Sequence, residues 1–339
     1  MSASFKHEIF TKDGVTFIKV KKGTNFSVTF ADLGASVYEI FYKNKLMTLT
    51  PKYINDFKKT SVYNGKTIGR VSNRIKNAEI VVDNILYKLD PNENGNTLHG
   101  GRNGISSKYF DYEVGESDKY YYVSFTYLSP HLEGGFPEDL NIEINYLFTK
   151  IDNDDSFCIN MIAKSDRVTP IKLTNHLYFT LGEPTSKNLF LSVYSNSYLD
   201  VDEQLLPLGR KRIKGNLFHF NGEYGPLDDS LLEVFSINKQ PWVDHYFFHP
   251  KTKNRKEVYD ALLYSNDIVL AINSTFGGMQ VYNDFYEDGI VYKNTSEKSR
   301  RGFALEPSLP NNELGLFQPG SIFNHKIVYT FYEKKNNKN

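Results

Sequence analysis

The segment Leu140-Asn141-Ile142-Glu143-Ile144-Asn145-Tyr146-Leu147-Phe148 decides the fold class. Its even-numbered residues are apolar and its odd-numbered residues are mostly polar, which is the period-two pattern of a β-strand with one buried face. The pattern recurs from end to end of the chain, so strands are predicted throughout. Besides residues 140–148, the predicted strands are residues 78–82, 85–89, 120–128, 157–163, 267–273 and 326–332.

Turn signals and the scarcity of helical pattern set the predicted architecture. The pair Asp83-Asn84 separates two predicted strands and suits a tight two-residue hairpin loop. Helical periodicity is scarce, and two helical turns are predicted over residues 230–237. The chain shows no internal repeat, no low-complexity linker and no sharp change in composition. We therefore predict one all-β domain over residues 1–339, with antiparallel strands too numerous for one open sheet and packed as a large β-sandwich.

The composition excludes several classes of protein. The 339 residues include 40 basic and 40 acidic side chains, and this zero net charge argues against a nucleic-acid partner. No stretch approaches the roughly 20 apolar residues of a membrane helix, and residues 1–6 lack the apolar core of a signal peptide. The single cysteine, Cys158, cannot form an intramolecular disulfide. We expect a soluble, cytoplasmic protein with no membrane partner.

The segment from Ile171 to Leu181 carries an unusual polar pattern. Read as a strand, it places apolar side chains and Asn175 on one face and polar side chains on the other. The polar face either meets solvent or lines a polar cleft. Its members are Lys172, Thr174, His176, Tyr178 and Thr180.

Three further segments hold candidate functional residues. His99 precedes a glycine pair, residues 100–101, which suits either a close backbone approach to a ligand or a plain surface turn. Arg70 and Arg74, beside amide side chains, suit a hydroxyl- or carboxylate-binding edge or a surface salt-bridge face. Glu306 lies inside an apolar stretch, and burial would raise its pKa towards the range of a general base.

Taken in order, these and other motifs resemble the aldose 1-epimerase (galactose mutarotase) family over roughly residues 25–333. Each motif alone is weak, and the resemblance rests on all of them occurring in this order. They are Gly69-Arg70-x-x-Asn73-Arg74-Ile75, Leu98-His99-Gly100-Gly101, Thr174-Asn175-His176-x-Tyr178-Phe179, Asp244-His245, Gln280-Val281-Tyr282 and Leu305-Glu306.

The resemblance implies a galactose mutarotase-like supersandwich and an isomerase that interconverts the α and β anomers of free aldoses. It implies Glu306 as the general base and His176 as the general acid, while His99 would help hold the ring or anomeric oxygen. It implies a small-molecule sugar as substrate, no metal and no other cofactor, and a monomer or homodimer. The residues implied to bind sugar hydroxyls are Arg70, Asn73, Asp244 and Gln280.

The chain departs from the family pattern just after Glu306. The family often has Gln two residues after the base and then Pro-Asp, where this chain has Ser308 and Pro310-Asn311. A hydroxyl contact, or the support of Glu306, is therefore expected to differ.

The reaction explains why these residue types are needed. Opening a hemiacetal ring removes a proton from the O1 hydroxyl and delivers one to the ring oxygen O5. A desolvated carboxylate and an imidazole can do both near neutral pH. Neither a metal-spaced histidine cluster nor a phosphate-binding glycine loop is evident in the sequence.

Four alternatives stay open at this point. A glycoside hydrolase needs two carboxylates, whereas the motifs offer one. A non-catalytic sugar-binding protein would not need Glu306 with His176. A sugar-phosphate epimerase would need a basic cluster, for which Arg70, Arg74 and Arg102 remain candidates. A reducing disaccharide such as maltose presents the same anomeric centre as galactose or glucose, so the sequence does not set the preferred sugar.

Overall fold

Strands make up most of the fold. The computed structural model describes residues 4–150, 155–213, 217–221, 225–226, 243–250 and 259–334. The strands of these residues are β1 (Phe5–Lys12), β2 (Val15–Lys22), β3 (Phe26–Ala31), β4 (Ser36–Tyr42), β5 (Lys45–Leu46), β6 (Thr67–Ile68), β7 (Arg74–Ile75), β8 (Glu79–Val82), β9 (Ile85–Lys88), β10 (Thr97–Leu98), β11 (Asp111–Glu116), β12 (Tyr120–Ser129), β13 (Leu140–Thr149), β14 (Asp155–Lys164), β15 (Thr169–Pro170), β16 (Thr174–Asn175), β17 (Tyr178–Phe179), β18 (Phe190–Tyr194), β19 (Ser197–Val201), β20 (Pro207–Arg212), β21 (Leu217–Asn221), β22 (Gly225–Pro226), β23 (Asp244–Phe248), β24 (Ala261–Tyr264), β25 (Ile268–Ser274), β26 (Gly278–Tyr282), β27 (Phe303–Pro307), β28 (Leu316–Phe317) and β29 (Ile322–Glu333).

Helical structure is sparse in the same residues. It comprises the short helix α1 (Ile54–Phe57) and the 3₁₀ turns Lys76–Ala78, Ile105–Ser107, Glu133–Gly135 and Ser186–Asn188. None of the helices in the described ranges is long and apolar enough to cross a bilayer. The two helical turns predicted over residues 230–237 lie outside the described residues.

Three sheets build the molecule. The N-terminal sheet has the order β1-β2-β3-β4-β5, and the large sheet has the order β11-β12-β13-β14-β29-β25-β24-β18-β21-β22. The third, which we call the site sheet, has the order β17-β27-β26-β23-β19-β20. Two-stranded ladders β8-β9, β10-β7, β16-β6 and β15-β28 complete the fold. Neighbouring strands pair antiparallel, for example β13 with β14 and β26 with β27, which confirms the predicted all-β antiparallel class.

The predicted strands are present with small changes in their ends. In β13 the even-numbered residues are buried and the odd-numbered ones are more exposed, as the alternation predicts. Asp83 and Asn84 form the loop between β8 and β9, and both have positive φ, which a two-residue type I′ hairpin requires. The strand predicted over residues 326–332 is longer, because β29 pairs with both β14 and β25 over Ile322–Glu333.

The core lies between the large sheet and the other two sheets. A continuous cluster of buried apolar side chains includes Phe30 of the N-terminal sheet, Tyr146 and Tyr329 of the large sheet, and Phe179 of the site sheet. The rings of Phe30 and Tyr146 lie 4.3 Å apart, and those of Phe179 and Tyr329 lie 5.1 Å apart. Sheets packed face to face through such rings form the predicted sandwich, and this packing accounts for much of the Phe and Tyr content.

The polar segment from Ile171 to Leu181 is not one strand. It contains two short strands with different partners, β16 against β6 and β17 against β27, and the chain changes sheets at His176-Leu177. The polar side chains do not meet solvent, since Lys172 is 1% and Thr174 is 0% exposed. Thr174 donates its hydroxyl proton to the carbonyl oxygen of Pro307, which satisfies a polar group that burial would otherwise penalise.

A glycine contact holds two site-bearing loops together. Gly100 has a φ of +85°, and a Cβ built on it would collide with the carbonyl oxygen of Gly69. The glycine pair therefore allows the close approach of one backbone to another, Gly100 to Gly69. The loop that ends in His99 can in this way lie against the loop that leads to Asn73.

Replacing Gly100 by alanine tests this contact. We expect Gly100→Ala to lower the free energy of unfolding by about 3 kcal/mol, the sum of left-handed backbone strain and overpacking. Gly95 is the matched control, because its φ is +80° and a Cβ there meets nothing within 4 Å. Gly95→Ala should cost about 1 kcal/mol, from the strain alone. Equal losses for the two variants in urea unfolding would contradict the close approach.

Candidate active site

One cavity gathers most of the predicted functional residues. Its volume is about 440 Å³, which suits a small molecule. It opens between the site sheet and the loops that carry Asn73 and His99. Its lining residues are Tyr63, Asn73, Arg74, Glu93, Asn94, Leu98, His99, His176, Tyr178, Glu203, Gln204, Leu205, Asp244, Gln280, Tyr282, Tyr286 and Glu306.

The register of the site sheet points a set of polar side chains into this cavity. Gln280 lies directly opposite Glu306, and Tyr282 lies opposite Asp244. Directly opposed residues share a face of an antiparallel sheet, as do residues two apart along a strand. The face that carries these side chains lines the cavity, while the alternate residue Leu305 is fully buried in the apolar core.

A small ladder places Asn73, Arg74 and His99. Strand β7 pairs with β10 so that Arg74 lies opposite Leu98, and His99 follows at the end of β10. The backbone N–H of His99 donates to the carbonyl oxygen of Asn73 over 3.1 Å. Both Asn73 and His99 have positive φ, a sparsely populated conformation for side-chain-bearing residues that is concentrated at functional sites.

His176 is held at the junction between two strands and is surrounded by rings. Its N–H donates to the carbonyl oxygen of Lys66, and its own carbonyl oxygen accepts from the N–H of Gly65, over 2.9 Å in each case. The Tyr63 ring lies 5.8 Å from its imidazole and the Tyr178 ring 4.9 Å. Only 4% of His176 is exposed, so the imidazole is fixed in a weakly polar environment.

His176 and Glu306 face each other. The distance between His176 Nε2 and Glu306 Oε1 is 3.5 Å, and both side chains are almost fully buried. Burial lowers the pKa of His176 to about 4. Burial also raises the pKa of Glu306 well above its usual range, and the nearby Asp244 carboxylate raises it further. Low dielectric thus favours the form of the pair in which the carboxyl group is protonated and the imidazole is neutral.

His99 stands across from His176 with its ring nearly perpendicular. The ring centroids are 5.1 Å apart, and burial lowers the pKa of His99 well below its usual value, so its imidazole is neutral. Its Nδ1 accepts a hydrogen bond from the backbone N–H of Asn73 over 3.2 Å. An accepting ring nitrogen carries no proton, so the proton is on Nε2.

The same three side chains are a candidate metal-binding group among the described residues. Ligand atoms of His99, His176 and Glu306 all lie within 4.8 Å of one another. The tautomer of His99 does not fit this role, because Nε2 holds the proton while Nδ1 is engaged by the Asn73 backbone. The three groups are instead arranged to donate protons to oxygen atoms of a ligand and to accept protons from them.

A hydrogen-bonded chain leads from Asn311 to the cavity. Asn311 donates to Gln280 Oε1 over 2.7 Å, and Gln280 Nε2 donates to Asp244 Oδ1 over 2.5 Å. Arg74 binds Glu93 through two hydrogen bonds, and its NH1 lies 3.7 Å from Asp244 Oδ2. Burial raises the pKa of Asp244, while Arg74 and Gln280 oppose the rise.

The family departures at residues 308 and 311 acquire a structural account here. The side chain of Asn311 holds the amide of Gln280, which in turn holds Asp244. Ser308 is buried, and its carbonyl oxygen accepts a hydrogen bond from the Tyr246 hydroxyl over 2.8 Å. Neither residue lines the cavity, so the departures act on the support of the site.

Arg70 does not lie in the cavity, which corrects its predicted role as a ligand-binding residue. It is 1% exposed, and its guanidinium donates to the carbonyl oxygens of Ser129, Pro130, Pro137 and Glu138 and to the Ser129 hydroxyl. Its donors are therefore used to tie together the segments that flank the 3₁₀ turn Glu133–Gly135. The arginine at the cavity is Arg74, four residues later.

The cavity thus brings together the other predicted site residues and adds some that sequence reasoning did not assign. His99, His176, Asp244, Gln280, Asn73 and Glu306 all line it. Arg74 and Tyr178 stood in the quoted motifs without a role, so the motifs did contain a signal for them. Tyr63 and Tyr286 had no such signal, because nothing local distinguishes them from the many other tyrosines of a β-rich chain.

Comparison with known proteins agrees with this site and fold. The family described as "Aldose 1-epimerase" matches residues 16–330. Galactose mutarotase of Sus scrofa is 28% identical over 283 residues, and aldose 1-epimerase of Escherichia coli K12 is 29% identical over 282 residues; each match covers 79% of both chains. The crystal structure of galactose 1-epimerase from Lactobacillus acidophilus superposes with a TM-score of 0.82 at 22% identity, covering 98% of this chain and 100% of that one.

The two arginines should differ in their effect on stability. Arg70→Lys replaces a fork that serves four carbonyl oxygens with a single ammonium group. Unsatisfied buried acceptors cost about 1–3 kcal/mol each, so we expect a loss of at least about 2 kcal/mol in the free energy of unfolding. Arg74→Lys, the matched control, should cost less than about 1 kcal/mol, because the group lies at the edge of an open cavity. A larger loss for Arg74→Lys than for Arg70→Lys in urea unfolding would be inconsistent with this assignment.

Proposed function

The chain belongs to the aldose 1-epimerase family and interconverts the α and β anomers of aldoses, and we propose that Glu306 and His176 are its catalytic base and acid. The observation that carries the proposal is the 3.5 Å separation of His176 Nε2 and Glu306 Oε1 within the cavity. O1 and O5 of a pyranose are bonded to the same carbon, C1. Two groups that serve both oxygens must therefore lie this close together.

The pair works by moving one proton in each direction. Glu306 takes the proton of the O1 hydroxyl while His176 gives a proton to O5, and the C1–O5 bond breaks to leave an open-chain aldehyde. After rotation about C1–C2, His176 takes the proton back from O5 as O5 attacks C1, and Glu306 returns its proton to O1. The pair carries one proton in total at every stage, so the cycle needs no proton from solvent.

The directions of the two pKa shifts support this cycle. Burial raises the pKa of Glu306 and lowers that of His176, so the uncharged pair is favoured in the cavity. The uncharged pair is the form that coexists with the open-chain sugar. The environment therefore lowers the free energy of the state in which the ring is open, and this supports the reaction step that is unfavourable in water.

Other cavity residues bind the sugar. The Nε2–H of His99 is a donor for O5 or O1, beside the acid–base pair. Asp244 and Gln280 offer an acceptor and an amide on the adjoining sheet face, and Arg74 and Asn73 form the opposite wall. Neutral hydroxyls match this mixture of donors and acceptors, as in galactose or glucose, and the relatives named galactose mutarotase favour galactose.

The lining charges argue against a sugar phosphate as substrate. Arg74 is the one cation among the described lining residues, and Glu93 already binds it with two hydrogen bonds. Asp244, Glu203 and Glu93 make the cavity negative and would repel a dianion. Arg70 and Arg102, the other candidates for a basic cluster, do not line it.

The two remaining alternatives are also less well supported. A glycoside hydrolase needs a second working carboxylate, but Asp244 and Glu93 are held by Gln280 and Arg74. A non-catalytic binding protein has no use for a carboxyl group and an imidazole that are both desolvated, since burying such groups costs stability. The acid–base pair therefore favours an enzyme.

Further features of the proposal concern the whole protein. We infer one catalytic domain, since the family match covers residues 16–330 and strands of the large sheet run from Asp111 to Glu333. All the named catalytic groups belong to one chain, which is compatible with a monomer or a homodimer. Burial raises the pKa of the one cysteine, Cys158, to about 11, so its thiol is unreactive, and we infer a reducing compartment such as the cytoplasm.

Saturation kinetics by polarimetry on fresh α-D-galactose and α-D-glucose test the function and the roles together. Glu306→Gln removes the base but keeps its shape, so kcat should fall roughly 10²- to 10⁴-fold. His176→Asn should have a similar effect. Asp244→Asn weakens hydrogen bonds that change little as the ring opens, so KM should rise roughly 10- to 100-fold while kcat falls much less. Near-native kcat for Glu306→Gln, or no acceleration by the wild type, would refute the proposal.

The pH dependence of kcat/KM should be broad and displaced to acid. The productive pair holds one proton, and a second proton is added only when His176 ionises, with a pKa of about 4. Activity should therefore stay level through neutral pH and fall below about pH 4. At the alkaline end it should fall as the pH passes the raised pKa of Glu306 and the pair loses its proton. An acid limb near pH 6.5, the value of an exposed histidine, would contradict the buried pair.

A further inference from the structure

The cavity continues beyond the acid–base pair to an exposed mouth. Glu306 and His176 are 3% and 4% exposed, whereas Tyr286 at the mouth is 56% exposed. Leu205 forms the other apolar part of the mouth. An aromatic side chain left this open costs free energy unless it has a binding partner, and here it lines a sugar site.

A buried arginine holds the loop that presents Tyr286. Arg301 is 1% exposed and binds Asp284 through Nε and NH2 over 2.5 and 2.8 Å. It also binds Asp288 through NH1 and NH2 over 2.9 and 3.0 Å, and its NH2 reaches the carbonyl oxygen of Tyr286 over 3.4 Å. Residues 284, 286 and 288 are thus tied to one guanidinium, so the position of Tyr286 is fixed before a ligand arrives.

The Tyr286 side chain stands beside the polar wall of the cavity. Partial burial raises the pKa of its hydroxyl, and the carboxylate of Asp244 adds to the rise, so the phenol faces the wall formed by Asp244 and Arg74. Its backbone N–H donates to the Tyr282 hydroxyl over 3.1 Å. The ring therefore extends from the sugar-binding wall outwards to solvent.

The opposite wall is fixed in a similar way. The Asp202 carboxylate accepts hydrogen bonds from the backbone N–H groups of Gln204 and Leu206, over 2.8 and 2.9 Å. This turn presents Leu205, and Asn96 donates to Gln204 Oε1 over 3.4 Å. The mouth is therefore a slot with two fixed walls, Tyr286 and Leu205.

The geometry of a pyranose decides which of its atoms reaches this slot. When C1 lies at the buried pair, C4, on the opposite side of the ring, lies nearest the mouth. C2 is bonded to C1 and must lie at the buried end. A substituent on O4 can therefore leave through the slot, whereas a substituent on O2 meets the closed end of the cavity.

We propose that the mouth is a second sugar subsite, in which a glycosyl unit linked to O4 of the reacting aldose stacks on Tyr286. This rests on the proposed function and extends its substrate class to reducing 1→4-linked disaccharides. The flat phenol ring covers the apolar face of the outer pyranose, and the slot leaves that sugar's hydroxyls open to water.

Polarimetry with fresh lactose, maltose and sophorose against fresh glucose tests the subsite. Lactose and maltose are joined through O4 of the reducing glucose and sophorose through O2. We expect kcat/KM for lactose or maltose within about tenfold of that for glucose, and for sophorose at least about a hundredfold lower, because O2 substitution creates a clash. Glucose turnover without turnover of lactose and maltose would overturn the subsite and leave the proposed function intact. Absence of turnover of glucose and galactose would overturn both.

Variants of Tyr286 locate the contact. Tyr286→Ala should lower the ratio of kcat/KM for maltose to that for glucose about fivefold, which is the order of one aromatic contact. Tyr286→Phe keeps the ring and should keep the ratio within about twofold. Tyr112, an exposed tyrosine on β11 of the large sheet, is the matched control, and Tyr112→Ala should leave the ratio unchanged. An unchanged ratio in Tyr286→Ala, or sophorose turned over as well as maltose, would refute the proposed subsite.

Discussion

Burying a carboxyl group against an imidazole is the constraint on which the rest of this molecule depends. Glu306 and His176 have almost no contact with solvent and lie 3.5 Å apart. Their desolvation is unfavourable if each is charged alone, and it becomes useful when the two share one proton. The large aromatic core, the crossing of chain segments near His176 and the closely packed glycines all serve to exclude water from that pair while leaving one side open to a sugar.

The scaffold meets this constraint with two kinds of rigidity. Sheet register supplies the first, since Gln280 lies opposite Glu306 and Tyr282 lies opposite Asp244, so that alternation aims their side chains into one cavity. Buried guanidinium groups supply the second. Arg70 binds main-chain carbonyls behind the site, and Arg301 binds the loop at its mouth. Each arginine satisfies polar groups that irregular backbone leaves unpaired, where strands cannot do so.

The charge distribution of the cavity explains what it accepts. Carboxylates outnumber cations among the described lining residues, and the cation present, Arg74, is engaged by Glu93. Neutral hydroxyls can bind to such a surface as donors to Asp244 and as acceptors from Gln280 or His99. Anions are disfavoured by repulsion, so selectivity arises from the same carboxylates that orient the substrate.

The sequence alone determined the all-β class, the strand pattern of segments such as Leu140–Thr149, the family and the identities of Glu306, His176, His99 and Asp244. These follow from local alternation and from short motifs, which need no knowledge of distant contacts. The tertiary structure alone decided that Arg74 lines the cavity while Arg70 is structural, that Asn311 supports Gln280, and that Tyr63 and Tyr286 join the site. Local pattern gives the face of a strand, but a long side chain in a loop turns towards whichever polar groups the fold brings near it. For Arg70 those groups are the carbonyl oxygens of residues 129–138, about 60 positions away in the chain, and no local pattern encodes their approach.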